Sequence, residues 1–177
     1  MPTRSLFCGL LITFAFWTSH AGASEAVAAP GPTPMAFGWV ENVLIGKLGL
    51  RMKGKLDTGG DSSSVHAYDV ELYKKGERDT WVKFKLVGKD GRTIRYDQNV
   101  VRFAYIKKKE GGLLRRPVIR MPICLGDIYA HAEVNLADRG HFNYDILVGR
   151  EFLASRVLVD PSRTFVSQPN CEALSGE

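Results

Sequence analysis

The chain has 177 residues and a net charge of +5, with 45% hydrophobic and 24% charged residues. This length fits one domain of about 100–150 residues with short extensions, and the composition excludes bulk disorder and a collagen-like fibre. The three cysteines are too few for a disulfide-rich scaffold or a four-cysteine zinc site. The function must therefore be read from motifs.

The N-terminal segment has the order of a secretory signal peptide. Arg4 precedes an apolar run from Leu6 to Trp17, and Ala21-Gly22-Ala23 follows as a cleavage site with small residues. The run is too short to span a bilayer, which needs about 20 apolar residues. We predict a signal peptide over residues 1–23 and a periplasmic or secreted protein without stable membrane insertion after cleavage. An uncleaved anchor is the alternative.

Two further segments flank the predicted domain. Residues 24–36 are rich in Ala, Pro, Gly and Ser without a periodic apolar face, which predicts a flexible linker. Residues 168–177 predict a C-terminal tail, so the domain is placed at 37–167. Export would allow Cys124 and Cys171 to form a disulfide, but a buried, unpaired Cys124 is an equal alternative.

Between these flanks, the apolar residues repeat every second position. Val82, Phe84 and Leu86 alternate with other residues up to a turn-like Gly88–Gly91 segment, and the same alternation recurs over 128–136. Many short strands separated by Gly and Asp turns are typical of a small barrel or sandwich. Residues 149–155 predict one or two helical turns. We predict an all-β fold, a small closed acid-protease-type barrel with one short C-terminal helix.

The basic residues are scattered along the predicted strands, as expected for solvated strand faces. Lys107–Lys109 stands beside Gly111-Gly112 and predicts a hairpin tip or loop. A nucleic-acid surface would interleave aromatic residues with such cations, and an exported protein rarely meets that partner. We predict no nucleic-acid binding.

One motif carries chemistry. Asp57-Thr58-Gly59 follows an apolar strand, and an Asp placed in this way is what an aspartic peptidase uses. Glycine allows backbone N–H groups to approach the carboxylate, and the Thr hydroxyl can bond to main chain and hold the loop rigid. On its own the motif is also compatible with an ordinary turn capped by Asp57.

A second segment makes the motif more specific. Tyr144–Leu153 is an apolar strand that runs into Gly149-Arg150 and a short helix. Together with Asp57-Thr58-Gly59, and in this order, it resembles the retroviral-type aspartic peptidases, the retropepsins. In that group, such a segment packs under the catalytic loop.

The resemblance narrows to one bacterial retropepsin-like family, formerly labelled "putative ATP-dependent zinc protease". It rests on Lys55–Ala67, Arg115–Val118, Asp138–Leu153 and Val159–Arg163, and it covers roughly residues 38–166. Members typically carry Ala after the Gly and Leu before the His, where this chain has Gly60 and Val65. Some members lie beside or are fused to glutamate ligases of the ATP-grasp type.

The resemblance implies catalytic Asp57, braced by Thr58 and Gly59, with Gly60 and His66 on the substrate side and no cofactor. Hydrolysis of this type needs two carboxylates that share a proton. Because Asp-Thr-Gly occurs once and the chain is short, we predict a homodimer in which Asp57 of each subunit meets at the two-fold axis. The partner would be a peptide or protein substrate, covered by a flap formed at Gly88–Gly91 or at Lys107–Gly112.

Two other functions stay open. The chain lacks the His-Glu-x-x-His of common zinc peptidases and the Gly-rich phosphate loop of many nucleotide-binding enzymes, and its four histidines are separated in sequence. We therefore predict no metal, although a dispersed site around His66, His131 and His141 is an alternative. The same barrel could also be a non-catalytic module that binds a peptide or a cell-envelope ligand.

Overall fold

The computed structural model describes residues 33–108 and 110–171. The predicted signal peptide and residues 24–32 of the predicted linker lie outside these ranges. The strands are β1 (Met35–Ile45), β2 (Leu50–Leu56), β3 (Ser63–His66), β4 (Tyr68–Lys75), β5 (Asp79–Val87), β6 (Thr93–Asn99), β7 (Arg102–Lys107), β8 (Leu113–Leu125), β9 (Ile128–Ala137), β10 (Ile146–Val148) and β11 (Val157–Thr164), and one helix, α1, spans Arg150–Leu153. None of the described helical residues forms a segment long and apolar enough to cross a membrane.

Eight strands form one sheet in the order β11-β1-β2-β10-β3-β9-β8-β7. An additional pairing of Leu44 with Cys124 and of Ile45 with Ile123 joins β1 to β8 and closes six of the strands into a ring. Strands β11 and β7 lie outside this ring, and each has one unpaired edge within the sheet. The all-β prediction with one short helix is confirmed.

The ring is filled by the apolar residues that alternate along its strands. In β2, Leu50, Met52 and Leu56 are buried, and the residues between them alternate in exposure. The same period-two burial places Val134 and Leu136 of β9 in the core. The residues that point away from this core form the outer face of the ring, and that face carries polar side chains.

A second sheet, β4-β5-β6, covers part of the core. Its inner face contributes Val82, Phe84 and Leu86, and Phe84 stacks on Tyr96 at 5.1 Å between ring centroids. Strands β4 and β6 are the two edges of this sheet, and seven of the eight residues of β4 are exposed. The small sheet therefore packs on the core through β5 and β6.

The segment after β11 is tied back to the molecule by a buried carboxylate. Glu41 is fully buried in β1, and its two oxygens accept hydrogen bonds from the N–H groups of Gly38, Val166 and Ser167 and from the Ser167 hydroxyl. These donors satisfy the charge that burial would otherwise penalise. The start of β1 and the end of β11 are thus fixed to each other.

A disulfide ties the C-terminal residues to β8. Cys124 and Cys171 are bonded, with their Cα atoms 6.1 Å apart, and the N–H of Asn170 donates to the Gly126 carbonyl. The pairing that the sequence left open is therefore present in the structure. Residues up to Cys171, at the start of the predicted tail, are held against the β8–β9 turn.

Removal of this disulfide is expected to lower the stability markedly. The bond closes a loop with a sequence separation of 47, and the entropy of such a loop in the unfolded chain corresponds to about 4 kcal/mol. Cys171→Ala should lower the melting temperature by roughly 10 °C. Calorimetry with and without dithiothreitol measures this shift. Equal melting temperatures for the oxidised and reduced wild-type protein would contradict it.

Candidate active site

The Asp-Thr-Gly segment lies where β2 ends, beside a strand from the far end of the sequence. Strand β10 lies between β2 and β3, parallel to β2 and antiparallel to β3. The loop 57–62 therefore passes over the carboxyl end of β10 and the start of α1. The Asp57 N–H donates to the Val148 carbonyl at 2.8 Å, which fixes the residue at the point where the strand ends.

The Asp57 carboxylate is half-buried and closely surrounded by backbone. The Gly59 N–H donates to Asp57 Oδ1 at 3.4 Å, and the Gly60 N–H donates to the Asp57 carbonyl at 3.2 Å. A Cβ atom on Gly60 would lie 2.9 Å from Asp57 Oδ2. Alanine at this position, which the resembling family carries, would require the carboxylate to rotate. Gly60 thus leaves Asp57 more rotational space than the family pattern does.

The Arg150 side chain, at the start of α1, holds the Asp57 loop in place through hydrogen bonds. Its Nη1 donates to the carbonyl oxygens of Thr58 and Gly59 at 3.2 and 3.0 Å, and its Nη2 lies 3.3 Å from Asp61 Oδ1. The planar guanidinium can serve these acceptors together because its donors form a rigid fork. Its backbone N–H also donates to the Gly60 carbonyl at 2.9 Å.

The turn into α1 allows no side chain on Gly149. A Cβ atom there would lie 2.6 Å from the carbonyl carbon of Ser62, and the Gly149 N–H donates to Ser63 Oγ at 3.1 Å. The Gly-Arg pair thus packs directly under the Asp57 loop, as the resemblance implied. The exposed Thr58 contacts Arg150 through its carbonyl, so the predicted role of its hydroxyl stays a prediction.

We expect Arg150→Ala to impair both the Asp57 loop and the peptide hydrolysis that the sequence predicts. Loss of the hydrogen bonds to three acceptors should destabilise the fold by about 1 kcal/mol, a modest effect because the side chain is half-exposed. Displacement of the Asp57 carboxylate should lower kcat/KM by more than about tenfold. Arg150→Lys should rescue little, because an ammonium lacks the fork.

Urea unfolding and peptide-cleavage kinetics test this role, with Arg78→Ala in the exposed β4–β5 turn as the matched control. Wild-type activity in Arg150→Ala would contradict a positioning role.

His66 does not lie in the Asp57 loop. It is buried at the end of β3, where its Nδ1 accepts a hydrogen bond from the Arg139 N–H at 2.6 Å and its ring meets Tyr68 edge-on. The same nitrogen lies 3.6 Å from Asp138 Oδ1. His66 anchors the loop that follows β9, and its substrate-binding role stays a prediction.

Two arginines were given no role by sequence reasoning: Arg139, which interacts with Asp57, and Arg116, which interacts with Arg139. Arg139 is buried, and its Nε donates to the Tyr144 carbonyl at 3.0 Å. Burial lowers the pKa of Arg139, the charge of Arg116 lowers it further, and the carboxylates of Asp57 and Asp145 oppose the shift. Burial likewise lowers the pKa of Arg116, with Asp138 opposing. The Arg139 guanidinium thus interacts with Asp57 as well as with Asp145.

Asp138 belongs to the same cluster. The Gly140 N–H, which donates to Asp138 Oδ1 at 2.9 Å, holds the pKa of this exposed carboxyl below its usual value, and the nearby His66, His141 and Arg116 act in the same direction. The Asp138-Arg139 pair was visible in the sequence as part of the family-like pattern. Its contact with His66 joins residues 73 apart, which local sequence reasoning does not reach.

A cleft of about 250 Å³ opens on this side of the ring. It is lined by Lys55, Arg139, Phe142, Asn143, Tyr144 and Leu147. Lys55 and Asp57 are two residues apart at the end of β2, and the charges of Arg139 and Asp57 interact, so the cleft lies on the same side of β2 as Asp57. Its exposed aromatic, Phe142, lies under the guanidinium of Arg139 at 4.6 Å.

The Gly88–Gly91 turn lies far from this cleft within one subunit. The Lys89 N–H donates to the Arg51 carbonyl, and Arg92 donates to the Gly49 carbonyl, so the turn packs where β2 begins. Strand β2 ends about 20 Å away, since a strand rises about 3.3 Å per residue. This turn therefore cannot cover Asp57 of its own subunit.

Across residues 33–108 and 110–171, no three His, Cys, Asp or Glu side chains come together in a way that could hold a metal ion. His66 is engaged with Arg139, and His131 makes an edge contact with Tyr129. The dispersed histidine site considered from the sequence is not assembled by the described residues.

Comparisons with known proteins agree with this geometry. The family model RimB-like, described as retropepsin-like aspartic endopeptidase RimB, matches residues 36–170. A crystal structure of a protein of unknown function from Legionella pneumophila is similar with a TM-score of 0.63 and 30% identity, over 75% of this chain and 98% of that one.

Curated relatives of this chain are named as ligases rather than as peptidases. Proteins named "probable alpha-L-glutamate ligase" from Shewanella halifaxensis and Shewanella pealeana are 34% and 35% identical over 117 residues. The match covers 64% of this chain but only 25% of each relative. The chain thus spans about a quarter of the length of these relatives.

Proposed function

The chain belongs to the RimB-like family of retropepsin-like aspartic endopeptidases, and from this premise we propose that it is an exported aspartic endopeptidase that hydrolyses peptide bonds with Asp57 from two subunits. The observation that carries the proposal is the geometry of the Asp57 loop. The Gly59 N–H donates to the half-buried Asp57 carboxylate, and Arg150 donates to the carbonyl oxygens of Thr58 and Gly59.

The proposed reaction follows from two carboxylates that share one proton. The ionised Asp57 takes a proton from water as the water oxygen attacks the scissile carbonyl carbon, and the protonated Asp57 of the partner subunit donates its proton to the carbonyl oxygen. When the tetrahedral intermediate collapses, one of its hydroxyl groups returns a proton to the ionised Asp57 of the partner subunit, the C–N bond breaks, and the amine leaves with the proton that the first Asp57 took from water. Each step conserves protons without a cofactor.

The homodimer is required by this mechanism, because one chain supplies one such carboxylate. The exposed tip of the loop supports the proposal, since Thr58 and Gly59 are solvent-accessible in the single subunit and free to meet a second copy. The cleft beside Asp57 would then extend across the two-fold axis and receive an extended peptide.

Export is supported by the disulfide. A bond between Cys124 and Cys171 persists in oxidising compartments and is rare in the cytosol. Together with the signal-like N-terminal sequence, it favours a periplasmic or secreted location for the enzyme.

The curated relatives favour one alternative, a non-catalytic binding module. In those proteins the similar segment is a quarter of a longer chain named as a ligase, so it could hold a substrate for another domain. An enzyme and a binder are distinguished by turnover, because only the enzyme cleaves the bound peptide.

The experiment combines a peptide library with mass spectrometry, the transition-state mimic pepstatin and a chelator. We expect internal cleavage that pepstatin inhibits and EDTA does not. Binding of peptides without cleavage would support the module instead, and cleavage that EDTA stops would support a metal-dependent hydrolase.

A further inference from the structure

The hairpin formed by β7 and β8 joins the body of the protein where β8 leaves β9. Val118 lies opposite Asn135 in the outermost pair between β8 and β9, and residues 113–117 pair with β7. Because the Gly88–Gly91 turn is far from the cleft, the predicted flap falls to the Lys107–Gly112 segment at the tip of this hairpin. A residue at the base of the hairpin can therefore connect the predicted flap with the rest of the site.

Asn135 is a buried polar residue at this base, and its side chain is bonded in two directions. Its Nδ2 donates to the Ser63 carbonyl of β3 at 2.7 Å, and its Oδ1 accepts a hydrogen bond from Arg116 Nη1 at 3.4 Å. Arg116 belongs to the hairpin, where it lies opposite Ala104 of β7. Asn135 thus links the hairpin to β3.

Ser63 continues this connection to the turn that packs against the Asp57 loop. The Ser63 side chain is fully buried, and its Oγ accepts a hydrogen bond from the Gly149 N–H at 3.1 Å. Gly149 precedes Arg150, whose side chain donates to two carbonyl oxygens of the Asp57 loop. A continuous series of contacts therefore runs from the hairpin to the loop that carries the reactive carboxylate.

The junction around Asn135 also contains polar atoms that are not satisfied. Arg116 Nε and Ser64 Oγ are buried without a hydrogen-bond partner among the described residues, and Ser64 lies opposite Asn135 in the pairing of β3 with β9. An unpaired buried donor or acceptor is costly, so a position of the hairpin that gives these atoms partners would be favoured. The junction is therefore suited to a hairpin that changes its position.

We propose that Asn135 is a positioning residue that couples the β7–β8 hairpin to the Asp57 loop, so that closure of the hairpin over a peptide is transmitted to the reactive carboxylate. The inference rests on the proposed function, because it assigns a role within that peptidase site. Asn135 acts through Ser63 and the Gly149-Arg150 turn rather than by contact with the reacting atoms. A small displacement of a reacting group is enough to lower the rate of a reaction strongly.

Asn135→Asp tests the bond to Ser63. The aspartate keeps an oxygen that accepts from Arg116 but replaces the Nδ2 donor, so the bond to the Ser63 carbonyl is lost. We expect kcat to fall by about tenfold or more with KM within about twofold, since the position of Asp57 affects the transition state rather than peptide binding. Ser63→Ala should act in the same direction. Asn99→Asp, at an exposed asparagine that ends β6, is the matched control and should keep the wild-type kcat.

A double-mutant cycle of Arg116→Ala and Asn135→Leu tests the coupling to the hairpin. Leucine has nearly the volume of asparagine and forms neither of its two hydrogen bonds. Arg116→Ala also removes a charge that interacts with Arg139, and this effect is common to both backgrounds. We expect the decrease in kcat caused by Arg116→Ala to be at least about threefold larger in the wild-type background than in Asn135→Leu.

Hydrogen exchange measures the loop without turnover. The N–H groups of Asp57 and Gly60 donate to the carbonyl oxygens of Val148 and Asp57, so their exchange reports how firmly the loop is held. Both Asn135 variants should accelerate exchange at these two amides by about threefold or more, whereas Asn99→Asp should match the wild type. Circular dichroism verifies the fold of each variant.

The inference is overturned if the Asn135 variants keep the wild-type kcat, if their loop amides exchange at the wild-type rate, or if Arg116→Ala lowers kcat by the same factor in both backgrounds. A wild-type protein that cleaves no peptide would refute the proposed function instead, and exchange at Asp57 and Gly60 then decides the inference by itself. If Asn135→Leu fails to fold, Asn135→Asp and Ser63→Ala keep the test decisive.

Discussion

Asp57→Asn is expected to lower peptide hydrolysis by about a thousandfold or more. The amide has nearly the shape of the carboxylate, so the Gly59 N–H can still donate to its oxygen and the loop remains in place. It cannot take a proton from water, which removes the general base of the proposed reaction. Initial rates of peptide cleavage, with thermal unfolding measured in parallel, test the prediction.

The matched control is Asp160→Asn. Asp160 accepts hydrogen bonds from the N–H and hydroxyl of Ser162, which hold the pKa of this exposed carboxyl below its usual value. It lies in β11 where the pairing with β1 shifts register, and asparagine can accept the same bonds. Activity should be unchanged. Full activity in Asp57→Asn would refute the aspartic mechanism.

Thr58→Arg is expected to convert the proposed dimer into monomers and to abolish the proposed peptidase activity. Thr58 is exposed at the tip of the Asp57 loop, where the proposed two-fold axis brings two copies together. Two large cations meeting at that axis would repel each other and prevent the approach of the two Asp57 carboxylates. Sedimentation velocity at the concentration of the activity assay measures the change in mass.

Thr93→Arg, at an exposed position in β6, is the control for this variant and should remain dimeric and active. Two results would count against the shared site. One is a wild-type protein that is monomeric and fully active. The other is a Thr58→Arg variant that stays dimeric with normal turnover.

The sequence was sufficient for the strand content and for the position of the reactive motif. Period-two alternation around Phe84 indicated strands because side chains in a strand alternate between two faces. The Asp57 motif and the Gly149-Arg150 pair pointed to one loop, and the structure brings them together through hydrogen bonds of 2.9–3.3 Å. The strands follow from local alternation of apolar residues, and the two motifs follow from the family resemblance.

The arrangement of the strands was beyond the sequence. The insertion of β10 between β2 and β3 joins Leu147 with Lys55, and pairing over such a separation depends on the whole core. The same limit applies to the contact of Arg139 with His66, which joins residues 73 apart and fixes the loop after β9. The sequence left open whether Cys124 and Cys171 form a disulfide, because their pairing depends on where the C-terminal segment passes Gly126.

The distribution of charged side chains around the site also depends on the tertiary structure. Lys55 and Arg139 are far apart in sequence, and both line one cleft in the folded chain. The basic lining of this cleft is therefore a property of the tertiary structure. The scattered basic residues gave no sign of it from composition.

The central claim is that one active site contains Asp57 from two chains, and subunit mixing tests it most directly. Wild-type and Asp57→Asn chains are combined in equal amounts, allowed to exchange subunits, and assayed for activity per wild-type chain. A shared dyad predicts a fall to about half, and to about a quarter with a threefold excess of the variant, because each mixed dimer has one carboxylate. Activity per wild-type chain that does not change on mixing would contradict the account.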